Sequence, residues 1–251
     1  MAAASPTFPI SKETTNYVRL CVLLVDVGSK VLRKTFDRIR PRGPLDTVLG
    51  TPPTSITLTS LLRRKVVNPS QWSILYPAIK SSVSSENFDI TLLMVLLRNI
   101  CGLTPPAAGW DALPSPTDVN CEDELARIKY YRNTVYGHAA QASVDDTKFN
   151  DYWMNIRDTL VRLGGADYQA PIDGLQYACM DRDTEERYIE MLKQWKLDED
   201  VIGVVLKDKI NNVEGKVDNV QASVNNVEAK VDNVQAVVDR IETQLVPTLG
   251  K

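Results

Sequence analysis

Arg132, Asn133 and His138 fall in the run Arg132-Asn133-Thr134-Val135-Tyr136-Gly137-His138, and His138 is the only histidine among 251 residues. Histidine can take and give a proton near neutral pH, and a guanidinium is a permanent cation shaped for a phosphate. Together they suit phosphodiester chemistry. One Arg and one His at short spacing is also a frequent accident, and taken alone the pair fits a structural His138 better.

Other chemistries have less support. Cys21, Cys101, Cys121 and Cys179 are scattered without a Cys-x-x-Cys spacing. Four cysteines and one histidine cannot supply the eight ligands of a two-zinc RING. No metal and no cofactor are expected. The N-terminus lacks the basic and apolar regions of a signal peptide, and the run Cys21 to Val27, broken by Asp26, is far shorter than a membrane span. The expectation is a cytoplasmic chain with reduced thiols and no membrane partner. A net charge of −3 argues against a generally basic nucleic-acid coat. It leaves room for a local patch: Arg33, Lys34, Arg38, Arg40, Arg42, Arg63, Arg64 and Lys65 are interrupted only by Asp37 and Asp46. A solvated helix face is the simpler reading of that stretch.

The elements that must position the motif read as helices throughout, with no convincing strand alternation. Residues 1–12 are expected to be a flexible N-terminus. Tyr17, Leu20, Leu24, Val27, Val31 and Phe36 then mark one long helix, stopped by Pro41 and Gly43. Residues 43–54 read as a Pro/Gly loop, followed by a weaker helical stretch around Ser60–Lys65. Asn68-Pro69-Ser70-Gln71 resembles a helix start. Ile90, Leu93, Met94, Leu97 and Ile100 place a buried helix over about 87–100, with Gly102 as its cap. Residues 103–119, rich in Pro and Gly, form a loop or excursion anchored by Trp110.

The helix that carries the motif begins at Glu122, Asp123 and Glu124, negative charges that suit a helix N-terminus. Leu125, Ile128 and Val135 give it an inward stripe, and Arg132 falls approximately on that stripe. An arginine turned towards a core needs a partner or a polar cleft. Residues six apart on an ideal helix point about 120° away from each other. A last turn distorted at Gly137 would be needed to bring His138 back towards Arg132. Ser143 and Asp146 offer the start of the next helix, with Phe149, Trp153, Ile156, Leu160 and Leu163 inside and Gly164-Gly165 as its stop. A segment around 172–180 and a helix from about Thr184 follow.

The C-terminal segment is a heptad seam. Ile210, Val217, Val224, Val231 and Val238 occupy a positions, with Val213, Val220, Val227, Val234 and Ile241 at d. A two-heptad unit repeats within it. Valine and asparagine are mediocre helix formers, so the helix needs a partner. Self-association fits a strict seam better than packing back on the chain's own domain. Valine at d gives a dimer only a modest preference over a trimer.

Residues 16 to 180 resemble a HEPN domain, the nucleotide-binding helical bundle of higher eukaryotes and prokaryotes, of the type in the DAZ-interacting zinc-finger ubiquitin ligases. The resemblance is carried by Asn16-Tyr17-Val18-Arg19-Leu20, Ser85-Glu86-Asn87-Phe88-Asp89, Leu97 to Leu103, Ile128 to His138, and Phe149 to Gly165. It implies an all-α, HEPN-like helical bundle followed by a long coiled-coil helix. The expected limits are 13–182 for the bundle, 183–205 for a connecting helix, 206–245 for the coiled coil and 246–251 for a tail. In that family the Arg-polar-(four to six residues)-His motif is the proposed metal-independent endoribonuclease site, which implies Arg132, Asn133 and His138 here. Cleavage of RNA by its own 2′-hydroxyl needs a base for that proton, an acid for the departing 5′-oxygen, and positive charge on the phosphate. One histidine is one too few for a two-histidine mechanism, so the resemblance implies two protomers that bring His138 twice, with Arg132 holding the phosphate and Asn133 orienting the partner side chain or the ribose. RNA and a second copy of the chain are the partners implied. The alternative is a non-catalytic adaptor in a defence or stress signalling assembly, with protein partners. The RING part of those ligases is missing, so ubiquitin-ligase activity does not carry over.

Overall fold

A computed structural model of the chain describes residues 11–191 and, further on, residues 220–221, 223–228, 230–232 and 234–240. The chain divides into two units, Met1–Glu199 and Asp200–Lys251. Helices α1 (Lys12–Val22) and α2 (Ser29–Ile39) run on through a π-helical stretch, Leu23–Gly28. Then come α3 (Leu45–Gly50), α4 (Thr54–Arg63), α5 (Pro69–Leu75), α6 (Ile90–Ile100), α7 (Cys121–Gly137), α8 (Asp146–Gly164) and α9 (Gln169–Tyr177). A tenth, α10, covers residues 182–191. No strand occurs among the described residues, so the first unit is an all-α bundle.

The core explains which faces pair. Tyr17, Leu20, Leu24, Leu32 and Phe36 from the first two helices meet Leu93 and Leu97 of α6 and Trp153, Ile156 and Leu160 of α8, all fully buried. Each such side chain contributes about 1.5–3 kcal/mol by leaving water. α6 is more enclosed than a one-faced helix: Leu92 and Leu96 are as buried as Leu93 and Leu97. A helix apolar nearly all round lies inside a bundle. At Gly164 a Cβ would come 2.9 Å from Val31 Cγ2 and 2.8 Å from Tyr168 Cδ2, so only glycine lets α8 end against α2. Lys34 closes that junction by donating to the Gly164 carbonyl at 2.8 Å.

Several boundaries differ from the sequence expectation. The first helix is not uniform, because the π turn lets the neighbours Leu23 and Leu24 both reach the core. Residues 45–50, expected as loop, form α3, since Val48 and Leu49 are buried and Tyr76 donates to the Leu49 carbonyl at 2.9 Å. Tertiary burial outweighs the flanking Pro44 and Gly50. α4 starts at Thr54, earlier than expected. Asp89 caps α6, and the residues before it form a 3₁₀ turn, Ser85–Asn87. Asp145, and not Ser143 or Asp146, caps α8; Asp146 instead accepts from Lys12 and from Asn16. Asn68 does cap α5, and with Gln71 it forms a reciprocal capping box.

Part of the basic stretch is spent on the fold. Arg33 donates to the carbonyls of Ser85, Glu86 and Phe88, and Arg40 to those of Pro41 and Gly43. α10 is tied to the start of the chain: Tyr188 donates to Asp26 at 2.6 Å and Thr15 to Glu185 at 2.8 Å. No helix among the described residues is long and apolar enough to cross a membrane.

In the second unit the described residues of 220–240 are helical, and Val220, Val224, Val227, Val231 and Val234 are exposed. The expected flexible N-terminus up to residue 10, the connecting helix beyond 191, the seam positions Leu206, Ile210, Val213, Val217, Ile241 and Leu245, and the tail 246–251 lie outside the described residues.

Candidate functional site

α7 positions all three candidate residues. Asn120 and Asp123 form a capping box at its start, with Asn120 N–H donating to Asp123 at 3.1 Å. Glu124, in the same turn, is fully enclosed, accepts from Arg162 of α8 and forms an ion pair with Arg127 at 3.4 Å. Arg127, also buried, donates to the carbonyls of Pro114, Ser115 and Asp118. These bonds hold the Pro-rich excursion between α6 and α7 against the helix.

Arg132 lies two turns further on and is 6% exposed, in keeping with its inward phase. Nη1 donates to Thr91 Oγ1 of α6 at 3.4 Å, and the guanidinium stands 5.1 Å from the centre of the Tyr136 ring. Tyr17 of α1, fully buried, adjoins this region. Burial, then the neighbouring Cys21 thiol, then Tyr136 push its phenol well above the ordinary range. Arg132 thus lies buried beside the Thr91 hydroxyl and the face of the Tyr136 ring.

Asn133 is exposed and turns elsewhere, into a surface cleft of about 330 Å³ lined by Trp110, Asp111, Lys129, Tyr130 and Thr134. Successive helical residues differ by about 100°, so neighbours in sequence need not share a site. His138 caps the C-terminus of α7 and is half-buried. Its N–H donates to the Val135 carbonyl at 3.0 Å, and its own carbonyl accepts from Ala142 at 2.8 Å, which fixes the main chain in a tight turn. Within one chain the three residues thus occupy three surroundings: an enclosed pocket, an open cleft and a half-exposed helix end.

Sequence reasoning missed Thr91 and Tyr136. Tyr136 is one turn after Arg132 and so had a positional signal, whereas Thr91 comes from a distant helix and had none. It also missed the ion pair of Lys129 with Asp111 and the stacking of Arg98 over Trp110 at 5.1 Å. Trp110 is half-buried and packs on the core, as an anchor should. Among the described residues no group of three or more His, Cys, Asp or Glu side chains could hold a metal ion.

Comparison with known proteins identifies the family. The DZIP3/hRUL138-like HEPN family model matches residues 42–188, more than half of the chain and the whole of α7. The chain is 26% identical to the mouse E3 ubiquitin-protein ligase DZIP3 over 169 residues, covering 62% of this chain and 13% of that protein. It is 24% identical to the human protein of the same name over a segment of the same length. The chain thus spans a small part of the length of the curated relatives it matches. No solved structure matches it. A family match across most of an all-α bundle, with the Arg-polar-His run on its seventh helix, shows that the chain belongs to the DZIP3/hRUL138-like HEPN family.

Proposed function

We propose that the chain acts on RNA as a metal-independent endoribonuclease assembled from two copies. The observation that carries this reading is the disposition of α7, which keeps a guanidinium in an enclosed polar pocket and presents the only imidazole half-exposed at its end. In the proposed reaction the ribose 2′-oxygen attacks phosphorus while a His138 imidazole takes its proton. The bond to the 5′-oxygen breaks as a second His138, from the other copy, protonates the leaving oxygen. Arg132 stabilises the charge that develops on the phosphate, and Asn133 orients the ribose or the partner side chain. The nucleophile belongs to the substrate, so no metal-bound water is needed.

The exposed valines of 220–234 support the assembly. Val224 is 43% and Val234 64% exposed, and a regular apolar stripe of this kind gains stability by facing another helix. A coiled coil would raise the effective concentration of one half-site around the other.

A second reading, a non-catalytic adaptor, is favoured by a specific observation. Arg132 is enclosed against Thr91 and Tyr136, and a phosphate would have to displace these neighbours to reach it. Product chemistry separates the two. Incubation of the purified chain with mixed RNA in EDTA is expected to yield 2′,3′-cyclic phosphate ends, and the His138→Ala protein none. Activity lost in EDTA and restored by Mg²⁺, products with a 3′-hydroxyl, or no cleavage at all would leave the adaptor.

A further inference from the structure

The cleft beside Asn133 is separate from the Arg132 pocket and has its own composition. Two aromatic side chains, Trp110 from the excursion and Tyr130 from α7, line it together with the amide of Asn133 and the ammonium of Lys129. We propose that this cleft is a base subsite for single-stranded RNA, an inference that rests on the RNA-directed reading above and names where an unpaired nucleotide of that RNA is held.

Five features converge on that ligand. Every nucleobase has a π face, and stacking on a protein aromatic does not depend on which base is present. Tyr130 is 39% exposed on a rigid helix, and Trp110 is fixed by core packing and by the stacked guanidinium of Arg98, so both rings are pre-organised. The Asn133 amide offers one donor and one acceptor side by side, matching the polar edge of a base freed from pairing. Lys129 is occupied by Asp111, whose side chain is 83% exposed and which an incoming phosphate can replace at little cost. Arg98 adds a second, partly buried cation beside Trp110; burial lowers its pKa from the ordinary value, while Asp111 opposes that. The volume of about 330 Å³ falls in the range of sites that hold one small ligand.

The setting also predicts how the subsite behaves. Lys129 and Asp111 nearly cancel, so stacking supplies more of the affinity than phosphate neutralisation, and binding should fall only shallowly with salt. A double-stranded RNA has no free face to offer and should bind poorly.

The test is fluorescence anisotropy of the full chain with a short, unstructured 2′-O-methyl oligoribonucleotide, which lacks the attacking hydroxyl and is not cut. Trp110→Ala and Tyr130→Ala should each weaken binding roughly five- to a hundredfold. Trp110→Phe should retain most of it, and Trp72→Phe, on α5 outside the cleft, should bind as the unaltered chain does. Because Trp110 also packs on the core, the exposed Tyr130 supplies the variant least able to disturb folding. Unchanged affinity in both alanine variants, or equal affinity for a duplex, overturns the subsite while leaving an RNA-directed function in place. An unaltered chain that binds no oligoribonucleotide overturns both.

Discussion

The Arg132 guanidinium lies 5.1 Å from the Tyr136 ring centre, one turn along the same helix, with the Thr91 hydroxyl reaching it from α6. This pairing makes Arg132 a member of the interior as well as a candidate phosphate ligand. Removing it has two separable effects.

Arg132→Ala should abolish RNA cleavage and also destabilise the bundle. A hydrogen bond to a charged group is worth about 1.5–3 kcal/mol, and the cation over an enclosed ring adds about 1 kcal/mol. Arg132→Lys keeps the charge and loses the planar stack. Thermal unfolding should place the lysine variant between the parent and Arg132→Ala. A parent-like midpoint for Arg132→Ala would show that the pocket holds the guanidinium without drawing stability from it.

Glu124 joins α7 to α8 through Arg162 and shares its charge with Arg127. Removing one partner of a buried pair costs about 3–5 kcal/mol. Glu124→Ala should lower the unfolding free energy read from urea titration by that much, and more than Glu186→Ala on the exposed ion pair with Arg182 of α10. Equal effects would mean that water reaches Glu124.

Aspartate at Val224 and Val231 should dissociate the proposed oligomer without unfolding the bundle, because it would put unpaired charge into the seam. Light scattering on the full chain at micromolar concentration reads this directly. A parent chain already monomeric there would remove the assembly from the functional reading.

The thiols predict an alkaline limit. Burial raises the Cys21 thiol well above its ordinary 9.0, and burial first raises that of Cys101 to about 12. The folded state keeps protons that the unfolded chain releases. This contribution is therefore whole below about pH 9 and is lost as pH rises towards the folded values. For Cys21 alone the loss is about 1.4 kcal/mol per pH unit. Urea midpoints should fall between about pH 9 and pH 11, and Cys21→Ser should flatten the fall. With a thiol reagent at neutral pH, the exposed Cys179 should react first and Cys21 only on unfolding.

Much of the bundle was legible because apolar spacing reports burial directly: Phe149, Trp153, Ile156 and Leu160 were read as an inward stripe and are all buried. The π turn was not, since a wider turn changes phase without changing composition. α3 escaped because six residues carry too few repeats to reveal a period, and its burial depends on Tyr76 from elsewhere. At the site, the inward phase of Arg132 followed from its spacing to Ile128 and Val135. The surroundings of Asn133 were not legible, because they depend on Trp110 and Asp111 from the excursion; a single helical step turns it away from Arg132. The partners of Arg127 could not be read either, because they are main-chain atoms, which have no residue identity.

That last point bears on how such a domain diversifies. Arg127 holds the excursion by the carbonyls of Pro114, Ser115 and Asp118, groups that nearly any substitution preserves. Much of the restraint on the segment is thus blind to side-chain chemistry at those positions. The rim that bears Trp110 can change its composition while the path of the backbone stays the same, so ligand preference can drift without a new fold having to be found.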